Sequence, residues 1–390
     1  MTRSSKKQKT GKHASRAPRK RIAVILGTRP EAIKLAPVIL ALRNEPWADC
    51  RVVVTGQHRE MLDQVLSLFK IKPHEDLHVM RRAQSLGQLS VRLMAGLDKL
   101  LREQPPDLII VQGDTTTVAV TSYLGFCHRI PVAHVEAGLR TNDRWSPFPE
   151  EINRRITSLL ATIHFCPSEQ AREVLLAENL SAGSIHLVRN TVIDALFLAR
   201  SALRAKPRAL AGVDFSKRTI LVTMHRRESF GAPMAAICRA IAAVVAAHPE
   251  VRILLPVHKS PVVRQTVLPL LAPISGVHLV EPLDYQAFVY AMKECHFIMT
   301  DSGGVQEEAP ALGKPVLVLR ENTERPEAVR AGAALLVGTN EQAIVSAAEE
   351  LLSGGALYRR MARPRNIYGD GKAAARIVDV LREELTGAGK

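Results

Sequence analysis

The side chains able to do chemistry stand where apolar runs end. DLIIVQG (107–113) leads straight into Asp114 and three threonines, and IPVAHVE (130–136) ends on Glu136 before Ala-Gly. A third carboxylate, Glu150, falls in the segment PFPEEINRR (147–155). Two carboxylates converging on one site supply a general acid and a general base when their surroundings separate their pKa values. Each has a plainer role available: Asp114 suits a helix N-cap, and Glu150 suits a first helical turn. TILVTMH (219–225) ends on His225, followed by Arg226 and Arg227. That grouping fits a phosphate-rich ligand and proton transfer, and His258 after Pro256-Val257 is placed similarly.

Other strand ends read as anion turns. In Gly27-Thr28-Arg29-Pro30-Glu31 the glycine permits a tight turn and the proline suits a helix start. Free N–H groups there, with Arg29 and Lys34, are expected to meet an anion or diphosphate. In Asp301-Ser302-Gly303-Gly304, an apolar run meets a glycine pair and then a helix with acidic residues. Ser302 and the amides of Gly303 and Gly304 suit phosphate oxygens, and Glu308 is placed to accept from a ribose hydroxyl pair. No G-x-G-x-x-G follows the first run, which argues against a nicotinamide cofactor. No H-E-x-x-H or carboxylate cluster has metal spacing, so neither cofactor nor metal is expected.

The elements that must carry these residues alternate. Apolar β-branched runs at 21–27, 50–56, 107–113, 130–136 and 162–168 are separated by segments with helical spacing, such as Glu60–Phe69 and Ser85–Leu101. A second series runs through 219–225, 251–258, 277–282, 295–303, 314–320 and 333–338. Runs apolar throughout, rather than alternating, predict parallel strands covered on both faces. The fold class expected is α/β, with two Rossmann-like, doubly wound domains facing across a cleft and a linker near 190–215.

Composition bounds the rest. The chain has 390 residues, 46% hydrophobic and 23% charged, and no apolar stretch of the roughly 18 residues a membrane span requires. Eight of the fifteen excess positive charges lie in residues 1–20, which contain no acidic residue. That basic tail reads as a solvated extension, or, less simply, as a tether to RNA or an anionic surface. With aromatics at 4% and no recognition motif, a nucleic-acid partner is not expected for the main function. Five scattered cysteines without a C-x-x-C pair, and no secretory signal, point to reduced thiols and a cytoplasmic location.

Taken together, GTRPEAIKLAP (27–37), GQHREMLDQV (56–65), GDTTT (113–117), HVEAGLRT (134–141), SPFPEEINR (146–154), NTVIDAL (190–196), HRRESFG (225–231), DSGGVQEEAP (301–310), GKPVLVLR (313–320), ERPEAV (324–329) and YGDG (368–371) resemble the non-hydrolysing UDP-N-acetylglucosamine 2-epimerases. The resemblance implies a GT-B-type pair of domains: residues 21–190 with a returning helix in 366–390, and a UDP-binding domain at 191–365. It implies C2 epimerisation of UDP-N-acetylglucosamine to UDP-N-acetylmannosamine, through elimination of UDP to 2-acetamidoglucal and re-addition. Asp114, Glu136, Glu150 and His225 match the acid/base and stabilising set, with the residue that takes the C2 proton left open. Arg29, Lys34, Arg154, Phe288, Ser302, Gly303, Gly304 and Glu308 match the UDP-sugar-binding set, Phe288 against uracil. Gln57, Arg226 and His258 match a region where a second UDP-sugar acts as allosteric activator, and the family is usually a homodimer. A hydrolysing epimerase, or one for a 2,3-diacetamido sugar, stays open. Met224 and Arg189 stand where the family often has glycine.

Overall fold

The computed structural model of the chain describes residues 18–56, 59–81 and 83–387. The first lobe runs through β1 (Lys20–Leu26), α1 (Arg29–Arg43), β2 (Ala48–Val54), α2 (Arg59–Leu68), β3 (Glu75–Asp76), α3 (Leu86–Glu103), β4 (Leu108–Gln112), α4 (Thr116–Cys127), β5 (Val132–Val135), α5 (Glu150–Leu160), β6 (Ile163–Cys166), α6 (Glu169–Ala177), β7 (Ile185–Leu187) and α7 (Thr191–Ala202). The second continues with β8 (Thr219–Thr223), α8 (Ala232–Ala247), β9 (Arg252–Pro256), α9 (Pro261–Leu271), β10 (Val277–Val280), α10 (Tyr285–Glu294), β11 (Phe297–Thr300), α11 (Gly303–Glu308), β12 (Val316–Val318), α12 (Pro326–Arg330), β13 (Ala334–Leu336), α13 (Glu341–Leu352), α14 (Ala356–Met361) and α15 (Ala373–Thr386).

Both sheets are parallel, in the orders β3-β2-β1-β4-β5-β6-β7 and β10-β9-β8-β11-β12-β13. Each reverses direction once, between β1 and β4 and between β8 and β11, and the crevices that bind ligands in open α/β sheets lie beyond such switch points. Burial on both faces follows from the apolar runs: Ile22, Val24 and Leu26 enter one cluster, while Ala23 and Ile25 enter another on the opposite face. The former cluster continues through α1 and α7 into Tyr285, Val289 and Ile298, so one apolar core joins the two lobes.

Three expectations change. The linker expected near 190–215 begins as α7, whose inner face is buried and which packs against α1, α10, α11 and α15. The composition misled because alanine and arginine are good helix formers as well as common in linkers. Strands β3 and β7 were not anticipated; they are two and three residues long, too short for a periodicity to register. Lys20, placed in the tail, pairs with Ala48 as the first residue of β1; residues 1–17 of that tail lie outside the described residues. Helix α15 returns to the first lobe and packs on α1 and α7. The buried carboxylate of Asp194 accepts from the amides of Ala373 at 3.3 Å and Ala374 at 2.9 Å, fastening its N-terminus.

Candidate active site

Parallel pairing brings the first two carboxylate-bearing residues to neighbouring strand ends. β4 and β5 run in register, Gln112 beside Val135, and the Gly113 amide donates to the Val135 carbonyl. The next residues, Asp114 and Glu136, therefore leave neighbouring strand ends. Glu136 has a left-handed backbone, φ +68°, which costs energy for a residue with a Cβ and marks sites where function holds the chain. Two residues later Gly138 lies against the Ala171 carbonyl so closely that a Cβ would stand 2.1 Å from its oxygen. Only glycine lets the loop pass there.

Glu136 is nearly buried and surrounded by donors. Lys34 Nζ donates to Oε1 at 2.5 Å, Gln112 Nε2 donates to Oε2, and Asn190 Nδ2 approaches Oε1 at 3.4 Å. Burial alone would lower the Lys34 ammonium, but Glu136 and Glu307 outweigh it and hold Lys34 above its usual range. Asn190 also donates to Glu307 at 3.3 Å, and Arg325 pairs with Glu307. One chain of polar contacts thus crosses from lobe to lobe.

Asp114 is held by α5. Arg154 donates to its Oδ2 from Nε at 2.9 Å and Nη2 at 2.7 Å, and Asn153 donates to its carbonyl. Beneath it, His134 Nε2 donates to the Gly113 carbonyl at 2.7 Å. Burial pushes His134 down to about 4, so the ring is neutral at ordinary pH. In α5 it is the fully buried Glu151 that joins this network, with Arg154, Arg155 and the Thr141 amide as donors. Glu150 is half-buried, and among the described residues one of its oxygens is buried without a hydrogen-bond partner. Convergence therefore joins two of the three carboxylates directly by adjacent strands; Glu150 comes only as the neighbour of Glu151.

The second lobe repeats the logic. β8 and β11 pair with Thr223 beside Thr300, so His225 and Asp301 emerge together. Asp301 Oδ2 accepts from the amides of His225 and Arg226 at 2.7 and 2.8 Å, and His225 Nδ1 lies 2.9 Å from Oδ1. Burial would raise the Asp301 carboxyl, yet the His225 ring and these amides hold it below its usual value. That leaves Nε2 as the ring nitrogen free for a ligand.

A cavity opens beside this pair, lined from the first lobe by Arg29 and from the second by His225, Phe288, Ser302, Gly304 and Glu308. Glu308 is buried, accepts from Tyr285 Oη at 2.5 Å, and is pushed by burial up to about 7. Two anticipated anion donors are already engaged. The amides of Gly27 and Thr28 donate to Glu31, at 2.5 and 3.2 Å, in a capping arrangement, and Lys34 serves Glu136. Arg29 alone of that turn lines the cavity. The expected activator group divides: Gln57 lies outside the described residues, His258 shares the cavity with its ring 6.0 Å from that of His225, and Arg226 lies beside the position a Gly303 Cβ would take. Of the two departures, Met224 is buried on the cavity wall in a conformation open to any residue, whereas Arg189 has φ +75°.

Sequence reading did not single out Gln112, Asn190, Asp301, Glu307 or Arg325. Asp301 and Arg325 lay in motifs already marked, DSGGVQEEAP and ERPEAV, and that membership was the available signal. Asn190 opens the marked segment NTVIDAL, but its bridging had no local signal, because its partners are 54 and 117 residues away.

The family model described as UDP-N-acetylglucosamine 2-epimerase matches residues 40–382. The UDP-N-acetylglucosamine 2-epimerase of Yersinia pestis is 50% identical over 369 residues, covering 93% of this chain and 98% of the relative. Among solved structures, the UDP-GlcNAc 2-epimerase of Neisseria meningitidis bound to UDP-GlcNAc superposes with a TM-score of 0.87 at 43% identity, covering 93% of this chain and all of that one. The Methanocaldococcus jannaschii enzyme in complex with UDP-GlcNAc and UDP gives 0.76 at 32%, with 93% and 99% covered.

Proposed function

Since the chain belongs to the UDP-N-acetylglucosamine 2-epimerase family, we propose that it interconverts UDP-N-acetylglucosamine and UDP-N-acetylmannosamine without net hydrolysis. The observation that carries this reading is a pair of strand-end carboxylates on the first lobe, Asp114 and Glu136, and the His225–Asp301 pair at the strand ends of the second, with Asn190 linking Glu136 to Glu307 between the lobes. The nucleotide occupies the cavity of Arg29, Phe288, Ser302 and Glu308, with the diphosphate toward Ser302, Gly304 and His225 and toward the Gly303 amide at the start of α11. The sugar then extends toward the first lobe.

In the forward step a carboxylate takes the C2 proton, the C1–O bond breaks, and UDP leaves with the bonding pair, giving 2-acetamidoglucal. His225 offers Nε2 to the departing diphosphate, its ring oriented by Asp301. In the return step a proton reaches the opposite face of C2 and the diphosphate oxygen re-forms the bond to C1. No oxidation occurs, so no redox cofactor is required. Acid and base on opposite faces of one carbon suit two carboxylates held by separate cations, Lys34 and Arg154. Glu150 at the mouth of α5 is the third member of this set.

Incubation with UDP-N-acetylglucosamine in D2O tests the proposal. Deuterium at C2 of intact UDP-sugar, in both epimers, is the expected result. Free N-acetylmannosamine with UDP would make the enzyme hydrolysing; no exchange would overturn the reading.

The same reading includes a homodimer. Among the described residues α3, α4 and α5 pack side by side, and their outer surface carries Val91, Tyr123, Phe126 and Leu159, the last 81% exposed. Exposed apolar groups of this kind support that face as the partner surface.

A further inference from the structure

Arg189 connects β7 to α7, one residue before the Asn190 that reaches both lobes. Its φ of +75° is a conformation that glycine or asparagine takes readily and a long side chain does not. The backbone has no room to relax: the Val188 amide donates to the Cys166 carbonyl, and the Asn190 amide donates to the Tyr368 carbonyl. Arginine is therefore held at a cost in backbone energy, and such outliers point to function.

The Arg189 side chain is exposed on the wall of a second cavity in the cleft, which Glu136, Arg154 and Glu307 also line. Most of the other charges there have an opposite charge beside them. Glu136 has Lys34, Arg154 has Asp114, Glu307 has Arg325, and Glu324 has Arg320. Arg140 is paired with Glu178 and Glu169 with Arg172, while Glu327 has a neutral donor, Tyr368 Oη at 3.4 Å. Two guanidiniums remain, Arg189 from the first lobe and Arg330 at the end of α12 from the second, with no hydrogen bond or ion pair to the described residues. Unmatched guanidiniums in a recessed cleft favour a planar or tetrahedral oxyanion.

We propose that Arg189, with Arg330 across the cleft, receives a carboxylate or phosphate group beside Glu136, and that Arg189 thereby sets which ligands the cleft accepts. The position next to the reacting sugar rests on the epimerase reading; the anion site does not. The oxyanion comes either from the sugar, as a carboxylate at C6, or from a free ion.

Two measurements distinguish these sources. The first compares kcat/KM for UDP-N-acetylglucosamine and for its C6-carboxylate analogue, UDP-N-acetylglucosaminuronic acid, in the parent enzyme and in Arg189→Gly. The second follows Tm in both proteins during titration with inorganic phosphate. A sugar-borne group predicts that the variant loses about tenfold or more in preference for the uronate over the neutral sugar. A free ion predicts that phosphate raises Tm in the parent and not in the variant. The Tm of Arg189→Gly should not fall below the parent's, because glycine takes the left-handed conformation without a Cβ clash. Arg189→Asn repeats both measurements in a residue that also tolerates that conformation. If neither the substrate ratio nor the phosphate response depends on residue 189, the proposal is wrong. Failure of the epimerase reading is separate: the parent would then not exchange the C2 hydrogen, while the phosphate arm would still report on the anion site.

Discussion

At the scale of single residues, the chemistry depends on how each carboxyl is solvated and matched. Asp114→Asn and Glu136→Gln keep shape and remove proton acceptance, so each is expected to lower kcat by about 10² to 10⁴ while leaving UDP affinity within a few-fold. Deuterium exchange at C2 and a UDP titration check this, and normal turnover in both would remove the acid/base assignment. Glu308 makes a different prediction. Its folded-state value is about 7 against an ordinary 4.5, because it is buried. The folded state therefore holds a proton that the unfolded state releases. The stability this contributes is complete below 4.5 and is lost as pH rises to about 7. Glu308→Gln should flatten the fall in Tm between pH 5 and 7, with the part due to Glu31, raised to about 7 by burial in the same way, remaining. An unchanged slope would mean Glu308 is ionised in the fold. His134 and His164 act in the opposite sense: burial lowers both to about 4, so their share of stability is lost as pH falls from 6.5 toward 4.

At the scale of elements, strand order does the positioning. In each sheet the two central strands at the switch point, or the pair beside it, deliver the chemistry to one edge. Asp114 and Glu136 come from β4 and β5, and His225 and Asp301 from β8 and β11. The helices then fasten what the strands deliver, Arg154 of α5 on Asp114 and Lys34 of α1 on Glu136. Helix α15 depends on a single buried side chain for its N-terminus. Asp194→Ala should cost roughly 1–3 kcal/mol, since two buried amides lose their acceptor. Denaturant unfolding measures it, and Asp194→Asn, which keeps one acceptor oxygen, should recover part of the loss. Equal stability of the alanine variant would mean that the returning helix is held by packing alone.

At the scale of the whole molecule, two lobes share one apolar core and one polar chain, so the cleft between them has a defined floor. Asn190 is the point where that chain crosses, with Glu136 on one side and Glu307 on the other. The outer face of α3, α4 and α5 is the counterpart on the surface. For the proposed homodimer, Phe126→Glu combined with Leu159→Glu should leave a monomer in light scattering, with far-UV circular dichroism unchanged. A native mass that does not change would place the partner surface elsewhere.

The sequence by itself determined the fold class and the chemical inventory. Apolar runs alternating with segments of helical spacing point to a parallel sheet covered on both faces, and strand ends in such sheets are where Asp114, Glu136, His225 and Ser302 fall. These are local properties, written in periodicity and adjacency. Tertiary structure decided which of those residues meet. It joined Lys34 to Glu136 rather than to an anion, took Glu151 rather than Glu150 into the Asp114 network, turned the expected linker into α7, and left Arg189 unmatched in a left-handed turn. Apart from the choice of Glu151, which the helix face and the nearby Thr141 settle, those outcomes rest on contacts between segments dozens to hundreds of residues apart, and on the balance of burial and charge where they meet, which no single stretch of sequence contains.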